Sequence, residues 1–532
     1  MPRVLISDKL SDEGVALLEA APGIEVDHRG GVDADELRRI LPDYDGLIIR
    51  SGTKVTADLL EVADSLRVIG RAGIGVDNID LPAATERGII VMNTPEGNAV
   101  TTAEHAISLM TSLARRIPQA TQSMKEGRWD KSRFSGKELF NQVLGVIGLG
   151  NIGGIVADRA RGLRMRVVAA DPLVSEERAQ RLGVDLVSLD ELFATADVIS
   201  CHVPLTKENR GMIGRDAFAR MKDGVLIVNA ARGGVVDEAA LLEAIESGKV
   251  AGAALDVFEQ EPPPAGHPLL ARDEVICTPH LGAATLQAQL NVAIAVAEQV
   301  RDFLLDGVVR NAVNLPSVSA DELHELRPYI ALGEKLGLFL GQCSETIQEI
   351  DVEYAGAMVE LNVQPVTLAV LKGVLSPWVG ENVNFVNAPH LAQQRGIRVV
   401  ESKSSDSEDF VSLLAVTVRG GGRECRVAGT LFGHTQPRIV RVDGFALEAM
   451  PEGPSLLIRN DDSPGVVGAI GTVLGDAGIN ISRMQLGLNS SGDEAVQLLN
   501  VGPEPSAQVI GALRNIPGVT SVYVLDLGER VS

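Results

Sequence analysis

Short apolar runs recur along this 532-residue chain, and between most of them apolar positions return every three or four residues. The first pattern reads as buried strands and the second as helices with one face turned inward. Arg3 to Ser7 reads as a strand and Ser11 to Ala20 as a helix. Leu47 to Lys54 is a strand running into a small-residue turn, and Leu66 to Asn78 repeats that plan. One long helical stretch is expected over Thr101 to Glu126, after the turn Thr94-Pro-Glu-Gly-Asn98. Strands are expected at Val143–Ile147, Arg166–Ala170, Asp197–Val203, Val225–Asn229, Val250–Val257 and Val275–Thr278. Helices alternate with them: one from near Asn151, one behind the capping box Ser188-Leu-Asp-Glu191, and Asp237–Ser247 closed by Gly248. This alternation predicts a doubly wound parallel sheet over residues 99–282. The helical stretch Leu286–Leu305 then returns the chain to the first domain, which is discontinuous, 1–98 with 283–316.

Past Pro316 the texture changes. Residues 317–453 mix helical and strand patterns in an α+β domain, with Glu401 to Asp409 expected as an exposed turn. The tail, 454–532, reads strand, helix, strand, strand, helix, strand: Leu456–Arg459, Gly465–Ala477, Ile479–Leu488, Ala495–Val501, Ala507–Asn515 and Val519–Asp526. That βαββαβ order is ferredoxin-like.

Composition narrows the function. The chain is 45% hydrophobic but only 3% aromatic, which suits α/β layers. A net charge of −23 repels phosphate backbones, so nucleic acid is not an expected partner, and an anionic ligand needs a local basic pocket. Cys201, Cys277, Cys343 and Cys425 form no C-x-x-C pair and read as reduced thiols in a cytoplasmic protein. No run is long enough for a membrane span and no signal peptide is expected. No metal site is expected.

The strand Val143–Ile147 runs into Gly148-x-Gly150-x-x-Gly153. Gly148 permits the tight turn, Gly150 lets backbone approach a pyrophosphate, and Gly153 lets the helix pack on the sheet. The pyrophosphate then rests on N–H groups at the positive helix end. Asp171 ends the next strand, near the ~20-residue spacing at which an acidic residue accepts the ribose hydroxyls. Its charge repels a 2′-phosphate, which argues for NAD over NADP.

Three strand-end residues converge at one edge of such a sheet: Arg232, Glu261 and His280. Together they suit hydride transfer at a 2-hydroxy or 2-oxo acid. Arg232 can fork the carboxylate and polarise the carbonyl, His280 can exchange the hydroxyl proton, and Glu261 can stabilise the imidazolium. Asp256 could hold the nicotinamide amide. Singly, each also fits a capping residue or a surface ion pair. Arg50 and Arg71 each stand at a strand end beside flexible backbone, an arrangement that holds a carboxylate or a phosphate. Gly127-Arg-Trp-Asp-Lys-Ser-Arg133 is a basic exposed segment, either a solvated loop or a subunit contact or second anion clamp.

Six motifs in this order resemble the D-2-hydroxyacid dehydrogenase family: Arg50-Ser-Gly-Thr-Lys-Val, Arg71-Ala-Gly-Ile-Gly-Val-Asp-Asn-Ile-Asp, Gly148-x-Gly-x-x-Gly, Asn229-Ala-Ala-Arg-Gly-Gly, Leu255-Asp-Val-Phe-Glu-Gln-Glu-Pro and Thr278-Pro-His-Leu-Gly. The resemblance spans the whole chain, and the tail resembles an ACT domain. It implies a Rossmann-type NAD domain inserted in a flavodoxin-like substrate domain. It implies Arg232, Glu261 and His280 as the catalytic set, with His280 the proton donor. It implies NAD contacts from Asn151, Ile152, Asp171, Ala230, Arg232, Asp256, His280, Gly282 and Ala283. Arg50, Ser51, Arg71 and Asn98 would hold a phosphorylated substrate. The implied reaction is oxidation of 3-phospho-D-glycerate to 3-phosphooxypyruvate, the first step of phosphorylated serine synthesis, in a homotetramer. Hydroxypyruvate or glyoxylate as substrate, and a NAD-sensing corepressor, are the alternatives. Asn460, Asp462 and Asn480 would hold an effector, L-serine by resemblance, in a domain that pairs sheet to sheet with another copy. His434, Arg438 and Arg441 are candidates for an anion site between. Two departures stand out: Gly52 where the family often has Ala, a change expected to matter little, and Lys131 where relatives often carry Arg.

Overall fold

The computed structural model describes residues 1–316, 320–380, 382–404, 407, 409–489 and 491–528. It divides into two compact units, residues 1–54, 69–78 and 92–311, and residues 55–68, 79–91 and 312–532. Most of the residues assigned to substrate and dinucleotide binding fall in the first unit.

In the first unit, Arg3–Ile6 pairs in parallel with Glu25–His28 on one side and Gly46–Ile49 on the other. The sheet order continues through residues 69–71 of the next strand. The helix Leu286–Asp306 packs against this sheet, with Ala293 on Gly14 and Val300 on Gly46. A second sheet of seven parallel strands runs in the order Val275–Cys277, Val250–Leu255, Val225–Asn229, Val198–Cys201, Val143–Ile147, Arg166–Ala170, Asp185–Leu186. The order reverses beside Val143–Ile147, the switch point where doubly wound folds bind ligands. The strands are short, apolar and buried on both faces, which is why they read as unbroken hydrophobic runs.

The expected helix Thr101–Glu126 is two helices, Ala99–Arg115 and Ile117–Lys125. Arg116 between them is left-handed, φ +51°, and Pro118 sits in the first turn of the second helix. Proline cannot donate inside a continuous helix, so the chain restarts there.

In the second unit, a six-stranded mixed sheet runs Arg398–Ser404, Glu349–Gly356, Ser412–Gly420, Arg423–Phe432, Gln436–Val442, Phe445–Ala449. Residues 401 to 404, expected as part of a turn, belong to its edge strand, paired in parallel with Val352–Ala355. Of the remainder, Ser405, Asp406 and Glu408 lie outside the described residues. The tail is a four-stranded antiparallel sheet in the order Asn480–Leu488, Glu494–Gly502, Pro454–Asp461, Val519–Asp526. Leu456, Ile458 and Leu499 on one face pack against the helices Val466–Asp476 and Ala507–Arg514. Leu457, Val496, Leu498 and Leu525 on the other join the core under the helix Ala320–Cys343, with Leu336, Phe339 and Leu340. Gln342 exchanges two hydrogen bonds with the Asp526 backbone, 2.9 and 2.8 Å. That face of the tail sheet is thus covered by this chain's own helix.

Candidate active site

The glycine turn is built tightly. Gly148 has φ +90°, and a Cβ there would come within 2.6 Å of the His202 carbonyl. A Cβ at Gly153 would come within 1.9 Å of the Gly148 carbonyl. Gly150 differs: nothing lies within 4 Å of a Cβ placed there. It precedes the helix Asn151–Gly162 and supplies no side-chain cap, so the first-turn N–H groups face open space. That is a cradle for an anion at a positive helix end. Asp171 Oδ2 accepts from the Leu149 N–H at 2.7 Å, and Oδ1 from the Leu173 N–H at 2.9 Å. Each oxygen keeps a lone pair for a ribose hydroxyl. Asp171 therefore secures the turn as well as marking the ribose, a second role that spacing alone did not reveal. Asn151 is exposed, Ile152 half-buried and Ala230 buried beside them. These residues fit NAD.

The catalytic candidates come together at the strand ends. His280 Nδ1 and Glu261 Oε2 are 2.6 Å apart, and Glu261 Oε1 accepts from the Phe258 N–H at 3.1 Å. Hydrogen bonding to Glu261 lifts the His280 pKa above its usual value, against burial and the Arg232 charge. Burial works to raise the Glu261 carboxyl, but His280 and the Phe258 N–H outweigh it and hold it low. His280 has a left-handed backbone, φ +55°. Asp256 holds it there. The Asp256 carbonyl accepts from the His280 N–H at 2.9 Å, and its carboxylate accepts from Leu281 and Gly282 at 2.7 and 2.8 Å. Thr278 Oγ1, at 2.5 Å, and His105 Nε2, at 3.2 Å, complete the group. The Asp256 side chain has no exposed surface. Its oxygens hold the loop that carries His280, with Gly282 buried and Ala283 half-buried beside it.

Arg232 follows a loop fixed by Asn229, whose Oδ1 accepts from Ala231 N–H at 3.1 Å and whose Nδ2 donates to the Arg232 carbonyl at 2.9 Å. Arg232 Nε donates to Asp77 Oδ2 at 2.7 Å and Nη1 to the Ala231 carbonyl at 2.7 Å. Arg71 lies close by. Burial first, then the charges of Arg232 and Arg50, push its pKa down to about 10. Its Nε is buried without a hydrogen-bond partner. Asn98, at the start of Ala99–Arg115, likewise has a buried Oδ1 without a partner, and Ser51 is exposed. Asn78 Nδ2 ties the two basic loops together, donating to the Arg50 and Thr53 carbonyls at 2.7 and 2.6 Å. Asp8 Oδ2 accepts from Arg50 and Thr53 N–H at 2.6 and 3.1 Å. A Cβ on Gly52 would stand 2.6 Å from Asp8 Oδ1. Alanine at Gly52 would require the Asp8 side chain to shift.

Sequence reading missed Asp8, Asp77, Asn78, Asn229 and His105. Asp77 and Asn78 were visible inside a motif, but their partners lie far off along the chain. In the second unit, Asn460 is buried, with Oδ1 accepting from Gln497 Nε2 at 2.7 Å and Nδ2 donating to the Asp461 carbonyl at 2.8 Å. It is used within the sheet, whereas Asp462 and Asn480 are exposed. Arg438 lines a cavity of about 710 Å³ with His324, Arg327 and Lys335; His434 and Arg441 do not line it. Trp129 is 80% exposed and Lys131 begins a short 3-10 turn, Lys131–Phe134. No helix among the described residues is long and apolar enough to cross a membrane.

Residues 107–282 match the family described as D-isomer specific 2-hydroxyacid dehydrogenase, NAD binding domain. Residues 325–443 match the D-3-phosphoglycerate dehydrogenase intervening domain, and residues 455–518 the ACT domain. The chain is 44% identical over 528 residues to a D-3-phosphoglycerate dehydrogenase of Archaeoglobus fulgidus, covering 99% of this chain and 100% of the relative. It is 42% identical to one of Bacillus subtilis, with the same coverage. Among solved structures, a glyoxylate reductase from Paecilomyes thermophila matches at 30% identity with a TM-score of 0.55, over 59% of this chain and 98% of that one. An NAD-dependent formate dehydrogenase from Staphylococcus aureus in complex with NAD matches at 28% identity with a TM-score of 0.53, over 60% of this chain and 100% of that one. A glycine turn fitted to NAD, a paired histidine and glutamate beside a guanidinium, and similarity along the full length agree. The chain belongs to the D-3-phosphoglycerate dehydrogenases, long-form NAD-dependent members of the D-isomer-specific 2-hydroxyacid dehydrogenase family.

Proposed function

We propose that the chain oxidises 3-phospho-D-glycerate to 3-phosphooxypyruvate with NAD, the first step of serine synthesis by the phosphorylated route. The observation that carries this is the guanidinium cluster. Arg50, Arg71 and Arg232 lie close enough for their charges to act on one another, beside His280 and Glu261. Three guanidinium groups gathered at one place, among Asp8 and Asp77, suit an acid bearing both a carboxylate and a phosphate. The chain's many acidic residues make that local gathering of arginines the more telling.

In this reading Arg232 binds the carboxylate and polarises the bond at C2, and Arg50, Ser51, Arg71 and Asn98 hold the phosphate end. With Nδ1–H bonded to Glu261, the neutral His280 presents Nε2 as base and takes the hydroxyl proton. Glu261 then stabilises the resulting imidazolium. NAD, held by the glycine turn Gly148–Gly153 and Asp171, would supply the hydride acceptor for C2. In the reverse direction the same imidazolium returns the proton to the carbonyl oxygen.

L-serine, the pathway end product, is the proposed effector at the ACT domain through Asn460, Asp462 and Asn480. The enzyme is taken as a cytoplasmic homotetramer; four unpaired thiols suit a reducing compartment. The test is NAD reduction with 3-phospho-D-glycerate and with D-glycerate, each with and without L-serine. The proposal expects a strong preference for the phosphorylated acid and inhibition by serine. Preference for D-glycerate would discard the substrate, and indifference to serine would discard the effector.

A further inference from the structure

Arg232 enters the cleft with part of its guanidinium already committed. Nε is held by Asp77 and Nη1 by the Ala231 carbonyl. Nη2 lies against the backbone of Gly75, where a Cβ would come within 1.7 Å of it and 2.9 Å of Asp77 Oδ2. The plane of the group is thus fixed from two sides, by a carboxylate and by a bare stretch of backbone. Nη2 and the second Nη1 hydrogen are left for a ligand. Asp77 also supports the charge on Arg71, which Arg232 and Arg50 oppose.

We infer that Asp77 is a positioning residue for the reaction. Its carboxylate turns Arg232 so that the Nη edge, and not the Nε edge, meets the carboxylate and carbonyl of a 2-hydroxy or 2-oxo acid. This rests on the role given to Arg232 in the proposed function. Asp77 also works against substrate affinity, because it places a half-exposed negative charge, 54% accessible, beside a site for a polyanion. Orientation therefore favours kcat while repulsion weakens affinity, so removing Asp77 lowers kcat without raising KM, which loss of a merely structural ion pair does not do.

Asp77→Asn keeps an oxygen acceptor and removes the charge. At saturating NAD its kcat is expected to fall roughly tenfold, less than the 10²–10³ lost with a whole oxyanion donor. Its KM for 3-phospho-D-glycerate should stay level or drop. Asp77→Ala, with no acceptor, should lose more kcat. NAD affinity and melting temperature, measured on both variants, should match the parent, which separates loss of orientation from misfolding. A kcat within twofold of the parent in both variants overturns the inference, as does a KM that rises while kcat holds. A kcat that rises overturns it too, since Asp77 would then merely block the place of the substrate. The parent runs alongside. Inactivity of the parent on every 2-hydroxy and 2-oxo acid would remove the proposed function and this inference together, whereas an active parent with unchanged variants removes this inference alone.

Discussion

His280 is asked to change protonation during turnover, and its surroundings set the pH at which it can. Its folded pKa is raised, chiefly by Glu261. It therefore stays protonated to higher pH than a free histidine, and the oxidation rate should climb as pH rises through that raised value. Glu261→Gln removes the partner, so the rising limb should move to lower pH; a limb that stays in place would contradict the pairing. For stability the sign runs the same way. The contribution of a histidine with raised pKa is fully present below pH ~6.5 and fades as pH rises through the folded value. His280→Ala should keep NAD binding and lose at least 10²-fold in turnover, as removal of a general acid–base does; near-parental turnover would refute the role. Arg232, Glu261 and His280 were legible because each ends a strand inside a recognisable motif. Asp77 and Asp8 were not, because a carboxylate in a loop carries no sign of its distant partner.

Among elements, the strands were the most legible, since a parallel sheet covered on both faces writes itself as unbroken apolar runs. The helix break at Arg116 was missed although Pro118 signalled it, because the apolar period continues across the break. The glycine turn offers a sharper test. Gly150→Ala meets nothing in the turn and has an ordinary φ of −72°, so folding should be nearly unchanged, within about 0.5 kcal/mol. NAD affinity should fall, because the new methyl projects into the space the cradle leaves open. Gly153→Ala collides with the Gly148 carbonyl and should cost both stability and NAD binding. Calorimetry and NAD titration of the two variants check this. Equal behaviour would mean that the open side of the turn is not where the cofactor approaches.

At the scale of the molecule, the ferredoxin-like order of the tail was readable from its periodicity, but its docking was not. Alternation along a strand shows that two faces differ, not what covers the second one. Leu457, Leu498 and Leu525 turn out to share a core with Phe339 and Leu340. Each such side chain returned to water costs about 1.5–3 kcal/mol. Deleting residues 454–532 should therefore lower the melting temperature of the intervening domain and expose dye-binding apolar surface. An unshifted melt would mean that the two fold independently. The central claim is that the guanidinium cluster selects a phosphorylated acid. The direct measurement is kcat/KM for 3-phosphooxypyruvate divided by that for hydroxypyruvate, in the parent and in Arg71→Met. The parent ratio should be large and should collapse by about 10², as loss of a charged hydrogen-bonding partner predicts. A ratio near one in the parent, or one unchanged in the variant, would contradict the account.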